Sequence, residues 1–288
     1  MKKISLRLLG AGLLLFSIVG HTADLRFAVN APRGPLEAQK WEALTAHMSK
    51  SVGRSIELVV LQASKVDDAV EKGEVDLVLV NPATAVVVTE KFGAKTLATM
   101  SAKGSPKFGG VIISKKGSGI HKVADLKGKS VLAFQSGVSA GAWAFQTYHM
   151  MQKGINPADL SSFTDSKKQD DIPLAVKAGV VDAGFIRSGL LESMQKEGKI
   201  AMDDFIIVDE KKDELPFAHS TVLYPEWFMV ATKKMPDDIA DKIKKAILNL
   251  KASDEAAKSA EIDGFVEAIS LDGMKAALKA LKVAPYAG

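Results

Sequence analysis

Four short stretches place small or polar residues where an apolar run gives way to a helical pattern. They are Asn30 to Gly34, Asn81-Pro82-Ala83-Thr84, Gln135 through Gly141, and Ser166 to Asp171. A helix start leaves its first backbone N–H groups unpaired and carries partial positive charge, so such junctions suit an anion. The hydroxyls of Thr84, Ser136 and Ser139 add donors that rotate to fit a tetrahedral ligand. Gly137, followed by Val138, lets the backbone itself approach closely. Arg33 offers a fork of N–H donors to an oxyanion. His219, with Ser220 beside it, could donate to the same ion or respond to pH. Each group also has a plain structural reading, as an N-cap, a solvated arginine or a histidine satisfied by backbone. Their recurrence in both halves of the chain favours the ligand reading.

Other chemistry finds little support. Gly128-Lys129-Ser130 has the end of a phosphate-binding loop, but the glycine needed five residues earlier is Val123,. His47, His121, His149 and His219 show no metal-ligand spacing,. There is no Gly-x-Ser-x-Gly elbow. Cysteine is absent, which excludes a thiol nucleophile, a thiolate metal site and a lipid-modified cysteine,. The acidic pairs Asp170-Asp171, Asp203-Asp204 and Asp237-Asp238 fall at helix starts or turns, where they complement the helix dipole,. No catalytic residue, cofactor or metal is expected. The competing class, a periplasmic hydrolase or transferase acting on a phosphorylated or sulfated small molecule, would need a nucleophile with a base or a metal site.

The elements that must position these turns alternate short apolar runs with helical patterns, which predicts α/β architecture with mainly parallel strands. Strands are expected at Leu25–Val29, Ile56–Val60, Val75–Val80, Phe108–Ser114, Val131–Phe134, Asp182–Ile186 and Trp227–Ala231. Helices are expected near 36–49, 66–72, 83–92 and 140–152, with a helical tail from Asp237. The runs at Phe108 and Trp227 read as two crossings. They divide the chain into one lobe of 24–112 plus 226–288 and another of 113–225, able to hinge about each other.

Lys2, Lys3 and Arg7 precede an apolar run from Leu8 to Val19 that ends at His21-Thr22-Ala23, the pattern of a cleaved secretory leader over 1–23,. That run is short for a membrane span. Those three cations supply most of the formal +4, so the remainder is nearly neutral. A nearly neutral chain gives no basis for a nucleic-acid partner. A monomer in the periplasm is the expectation.

From Leu25 to about Leu250 the sequence resembles the phosphate/phosphite/phosphonate family of periplasmic substrate-binding proteins, with particular likeness to the periplasmic sensor domain of tetrathionate-sensing histidine kinases. The segments that carry it are Gly73 to Pro82, Phe108 to Ile112, Asp125-Leu126-Lys127-Gly128-Lys129, Ala178 to Gly184, and Phe217 to Thr221 through Trp227. The resemblance implies a type II fold of two α/β lobes with two hinge crossings, an anion in the cleft, and an inner-membrane ABC permease or a histidine kinase as partner. It implies that Ser136, Gly137, Val138 and Ser139 take the place of the anion-gripping turn. It puts Gln169 at or near a position where phosphonate binders carry histidine. Arg33-Gly34, Arg187-Ser188 and the His219-Ser220-Thr221 run match the sensor-like branch. These departures point to sulfur oxyanions, or to arsenate-like or phosphate-like ions.

Overall fold

The computed structural model describes residues 24–30 and 38–287. The leader expected over 1–23 and the candidate Arg33 lie outside them. The first four strands, β1 (Leu25–Asn30), β2 (Ile56–Leu61), β3 (Leu77–Val80) and β4 (Lys95–Ser101), join β12 (Phe228–Ala231) and β13 (Gly264–Glu267) in a six-stranded sheet. Its order is β13-β4-β12-β3-β1-β2. The intervening chain builds a five-stranded sheet from β6 (Gly110–Lys115), β7 (Ser130–Phe134), β8 (Ser162–Ser166), β9 (Ala183–Arg187) and β10 (Phe205–Ile207), in the order β10-β6-β9-β7-β8. The paired strands β5 (Lys107–Phe108) and β11 (Tyr224–Pro225) mark the two places where the chain passes between sheets.

Both sheets repeat one plan. β1 pairs parallel with β2 and β3, and β7 pairs parallel with β8 and β9. The strand that returns from the other sheet then docks antiparallel, β12 on β3 and β6 on β9. The first strand of each unit therefore has its successors on opposite sides, and in open α/β sheets ligands bind outside the carboxyl ends where the order switches so,. The turns at Asn81, Gln135 and Ser166 lie at the carboxyl ends of β3, β7 and β8, while residues 31–34 lie outside the described ones.

The sheet change comes earlier than expected. β6 is continuous from Gly110 to Lys115, so the division after residue 112 would cut a strand. Gly109 and Gly110 are close-packed where the chain enters this sheet. A Cβ at Gly110 would stand 2.6 Å from the buried Gln146 side chain. Strands β4, β8, β10 and β13 have no counterpart in the sequence reading. β8 reads Ser-Phe-Thr-Asp-Ser and is a largely exposed sheet edge, so it has no apolar run to betray it,.

Helices α1 (Glu42–Val52), α2 (Val66–Glu71), α3 (Pro82–Phe92), α7 (Asp237–Leu248), α8 (Glu255–Ala260) and α9 (Asp272–Leu281) cover the six-stranded sheet; α4 (Phe145–Gln152), α5 (Asp171–Ala178) and α6 (Leu190–Lys196) belong to the other half. One apolar cluster runs from half to half through the crossings, from Val80 and Ala83 to Phe108, Tyr224, Ala140, Trp143 and Phe145. Within it Phe145 stacks on Tyr224 with ring centres 3.9 Å apart. No helix among the described residues is long and apolar enough to cross a membrane.

A buried pair away from the crevice gives a pH signature. His149 on α4 meets Asp209 at 3.1 Å. Burial holds its imidazole below the ordinary value of 6.5, against the opposing pull of Asp209. A histidine whose folded pKa is depressed binds fewer protons folded than unfolded, so stability is lost as pH falls from 6.5 through the folded value,. Thermal melting should therefore drop as the pH falls below 6.5,. The drop should be shallower in His149→Asn. Parallel curves for the two proteins would remove His149 as its source.

Candidate functional site

The carboxyl ends of β7, β8 and β9 gather most of the expected ligand groups. β7 runs into a turn in which Gln135 and Gly137 take left-handed φ of 49° and 85°. This folds the chain back until the Val138 and Ser139 amides both donate to the Gln135 carbonyl. Ser139 Oγ accepts from the Ala142 amide at 3.3 Å, so it is an N-cap,. The first-turn amides of Ala140 and Gly141 have no partner inside the helix they begin. Ser136 stands exposed on the turn, its N–H and Oγ–H both donating to the Asp165 carboxylate at 2.9–3.1 Å. Gln169 accepts the Arg187 amide through Oε1 at 3.4 Å. Gly141 lies against Arg187, since a Cβ on it would be 3.3 Å from the Arg187 Cβ.

Arg187 reaches from the end of β9 to the second crossing. Its Nη2 donates to Glu226 Oε1 at 2.8 Å, and the guanidinium lies 4.9 Å from the centre of the Phe108 ring. The Glu226 side chain is only 4% exposed and that of Arg187 is 36% exposed. The second carboxylate oxygen of Glu226, Oε2, is buried with no hydrogen-bond partner among the described residues. Lys103, on the first crossing, has its ammonium 5.4 Å from the Phe217 ring centre. Burial first, and then the Arg187 charge, push the Lys103 ammonium below its usual value; Glu192, Glu226 and Glu261 oppose them. Arg187 thus pairs directly with the buried carboxylate, and Lys103 feels the charge of both.

On the six-stranded sheet the capping reading applies. Asn81 Oδ1 accepts from the Ala83 and Thr84 amides at 2.9 and 3.2 Å, and its Nδ2 donates to Thr84 Oγ1. Those amides are the ones an anion at this helix start would use. Helix α3 nevertheless contacts Ala140–Ala144, so the two elements meet across the molecule. On the five-stranded half the Ala140 and Gly141 amides lack a partner inside their helix, while the Ser136, Val138 and Ser139 amides, like those of Asn81–Thr84, are engaged locally.

His219 and Ser220 have another task. Both are fully buried. The His219 ring nitrogens meet the Phe217 carbonyl and the Asp213 carboxylate at 3.0 Å, both acceptors, which leaves no N–H for an anion. Ser220 Oγ accepts from the Ile112 amide, Thr221 Oγ1 from Gly110 and Ser188 Oγ from Gly109. Three hydroxyls therefore satisfy the backbone where β6 begins, a structural clamp in place of the expected ligand role. Glu226, Lys103 and Asp165 escaped the sequence reading. Only Glu226 gave a signal, as an acid between the apolar flanks Tyr224-Pro225 and Trp227-Phe228. Among the described residues no group of three or more His, Asp or Glu is placed to hold a metal ion.

Two mixed sheets of one plan, linked by two crossings, give the chain the two-lobed α/β fold of type II periplasmic binding proteins. The chain belongs to the family of phosphonate-type ABC-transporter periplasmic substrate-binding proteins, which it matches over residues 29–272. It is 29% identical over 225 residues to the tetrathionate sensor histidine kinase TtrS of Salmonella typhimurium, covering 74% of this chain and 37% of that protein. The chain thus spans little more than a third of that relative. Similar solved structures include XAC2383 from Xanthomonas citri bound to ATP, with TM-score 0.76 at 13% identity over 92% of this chain and 99% of that one. PhnD1 from Prochlorococcus marinus in complex with methylphosphonate gives TM-score 0.71 at 14% identity, over 90% and 98% of the two chains.

Proposed function

We propose that the protein captures a small oxyanion between its lobes, with sulfur oxyanions first and phosphate-, phosphonate- or arsenate-like ions next. It binds without chemistry, selects a closed form about the two crossings, and hands its ligand to an ABC permease or reports it to a membrane sensor kinase. Export through the leader at 1–23 would place it, as a monomer, in the periplasm. The observation that carries this reading is the packing of Arg187, whose guanidinium lies over Phe108, with its Cβ against Gly141 in the helix start at Ser139–Gly141, an element that helix α3 also contacts. A fixed positive charge and unpaired amides at one sheet end are what an oxyanion needs. Hydrogen bonds to a charged group contribute about 1.5–3 kcal/mol each, so three or four reach the roughly 8 kcal/mol of micromolar binding. The family supports a binding role, and the likeness to TtrS supports the preference for sulfur.

The test is a thermal-shift and calorimetric screen with tetrathionate, thiosulfate, sulfate, phosphate, arsenate and methylphosphonate. One or a few should raise the melting temperature and titrate to a single site. No shift with any of them would refute the assignment. Chromogenic phosphate and sulfate esters left intact by the same preparation would separate binding from hydrolysis.

A further inference from the structure

Ser136 offers its N–H and hydroxyl on the exposed turn, yet a carboxylate of the chain itself already holds both. Asp165 Oδ1 lies 3.1 Å from the Ser136 amide nitrogen and 2.9 Å from Oγ, and Oδ2 lies 3.1 Å from the same nitrogen. The register explains the reach. Asp165 pairs with Ala133 and Ser166 with Phe134, so β7 and β8 end side by side. The two residues are 29 positions apart in sequence, and both are exposed, so the carboxylate is free to rotate away. An anion seated at this turn must take these donors from Asp165 or sit beside a like charge.

We propose that Asp165 is a specificity-determining residue, a built-in competitor that sets which charge state of an oxyanion the turn accepts. This rests on the oxyanion reading above. A doubly charged ion is repelled by the carboxylate roughly twice as strongly as a singly charged one. Asp165 therefore weakens binding of dianions most and biases the site towards ions that keep a proton or carry a single charge.

The experiment measures dissociation constants of wild type, Asp165→Asn, Asp165→Ala and Ser136→Ala for thiosulfate, sulfate and singly charged methylphosphonate. Asparagine keeps an acceptor for the Ser136 amide and removes only the charge. Asp165→Asn should bind the two dianions about tenfold more tightly, the scale of one like-charge contact near a surface, and methylphosphonate by a smaller factor. Asp165→Ala should gain at least as much, and Ser136→Ala should lose affinity. If Asp165 only orients the turn, Asp165→Asn will match wild type and Asp165→Ala will bind more weakly, and the competitor role is overturned. Binding by neither wild type nor the Asp165 variants would overturn the oxyanion reading instead. A gain seen only after Asp165 is replaced would support both.

Discussion

Arg187→Met is expected to cost about 2–3 kcal/mol of stability and to weaken oxyanion binding by about 100-fold. The stability loss comes from Glu226. With Arg187 gone, a carboxylate that is 4% exposed loses its only ion-pair contact among the described residues, keeps just the more distant Lys103 charge, and has no hydrogen-bond partner at Oε2 among them. Removing one partner of a fully buried ion pair costs roughly 3–5 kcal/mol. Arg187 is itself 36% exposed, so water can enter where it stood and the figure is discounted,. A melting temperature lower by about 5–8 °C should result for a chain of this size. The binding loss has a separate origin. Arg187 uses Nη2 on Glu226 and keeps its remaining donors, and two charge-assisted bonds at the lower end of their range already give a factor of about 100,. The double variant Arg187→Met/Glu226→Leu separates the two effects. It should recover most of the stability, because the uncompensated charge is gone, and none of the affinity. Affinity and melting temperature both unchanged in Arg187→Met would show the pair to be surface decoration.

How much of this was legible in the sequence depended on range. The apolar runs at Leu25, Leu77, Val131 and Phe228 became strands because buried strands need continuous apolar residues, which a linear reading detects,. The polar edge β8 and the short β13 did not announce themselves, because an exposed edge is fixed by its neighbour's backbone and not by its own side chains. The turns of the site were found for the same reason as the strands, since glycine and hydroxyl residues cluster locally. Their partners were not. Ser136 meets Asp165 across 29 residues and Arg187 meets Glu226 across 39. Such pairs exist only once both sheets are built. Asn81 shows the converse error. Its cap closes within three residues and was foreseeable, yet the same residue types serve anions equally well, so only geometry decides. His219 is the plainest case. Its position beside two hydroxyls suggested a ligand cluster, whereas burial turns all three groups inward to satisfy backbone at Gly110 and Ile112 and the acceptors of its own loop.

Gly141→Ala should destabilise the protein by about 2–3 kcal/mol and cut oxyanion affinity at least about tenfold, although alanine is the better helix former. Intrinsic propensity alone predicts the opposite sign, a gain of about 1 kcal/mol at a helical position. Sterics win here. The added Cβ would stand 2.4 Å from Phe108 Cε2 and 3.2 Å from Cδ2, well inside van der Waals contact. Phe108 has no room to yield, because it is buried against Phe145 at a 5.1 Å centroid distance and Phe145 is stacked on Tyr224. The helix start must therefore lift, or the ring must shift and carry with it the Arg187 guanidinium lying over it. Either movement separates the unpaired amides from the positive charge that the anion needs together. Phe108→Leu combined with Gly141→Ala should restore part of both losses by opening space. Gly137→Ala is the control: its Cβ meets nothing within 4 Å, so only the left-handed φ of 85° is penalised, by about 1–2 kcal/mol,. A Gly141→Ala protein as stable as wild type, with affinity intact, would mean that the helix start does not rest on Phe108 in solution and that amides and guanidinium are not held as one unit.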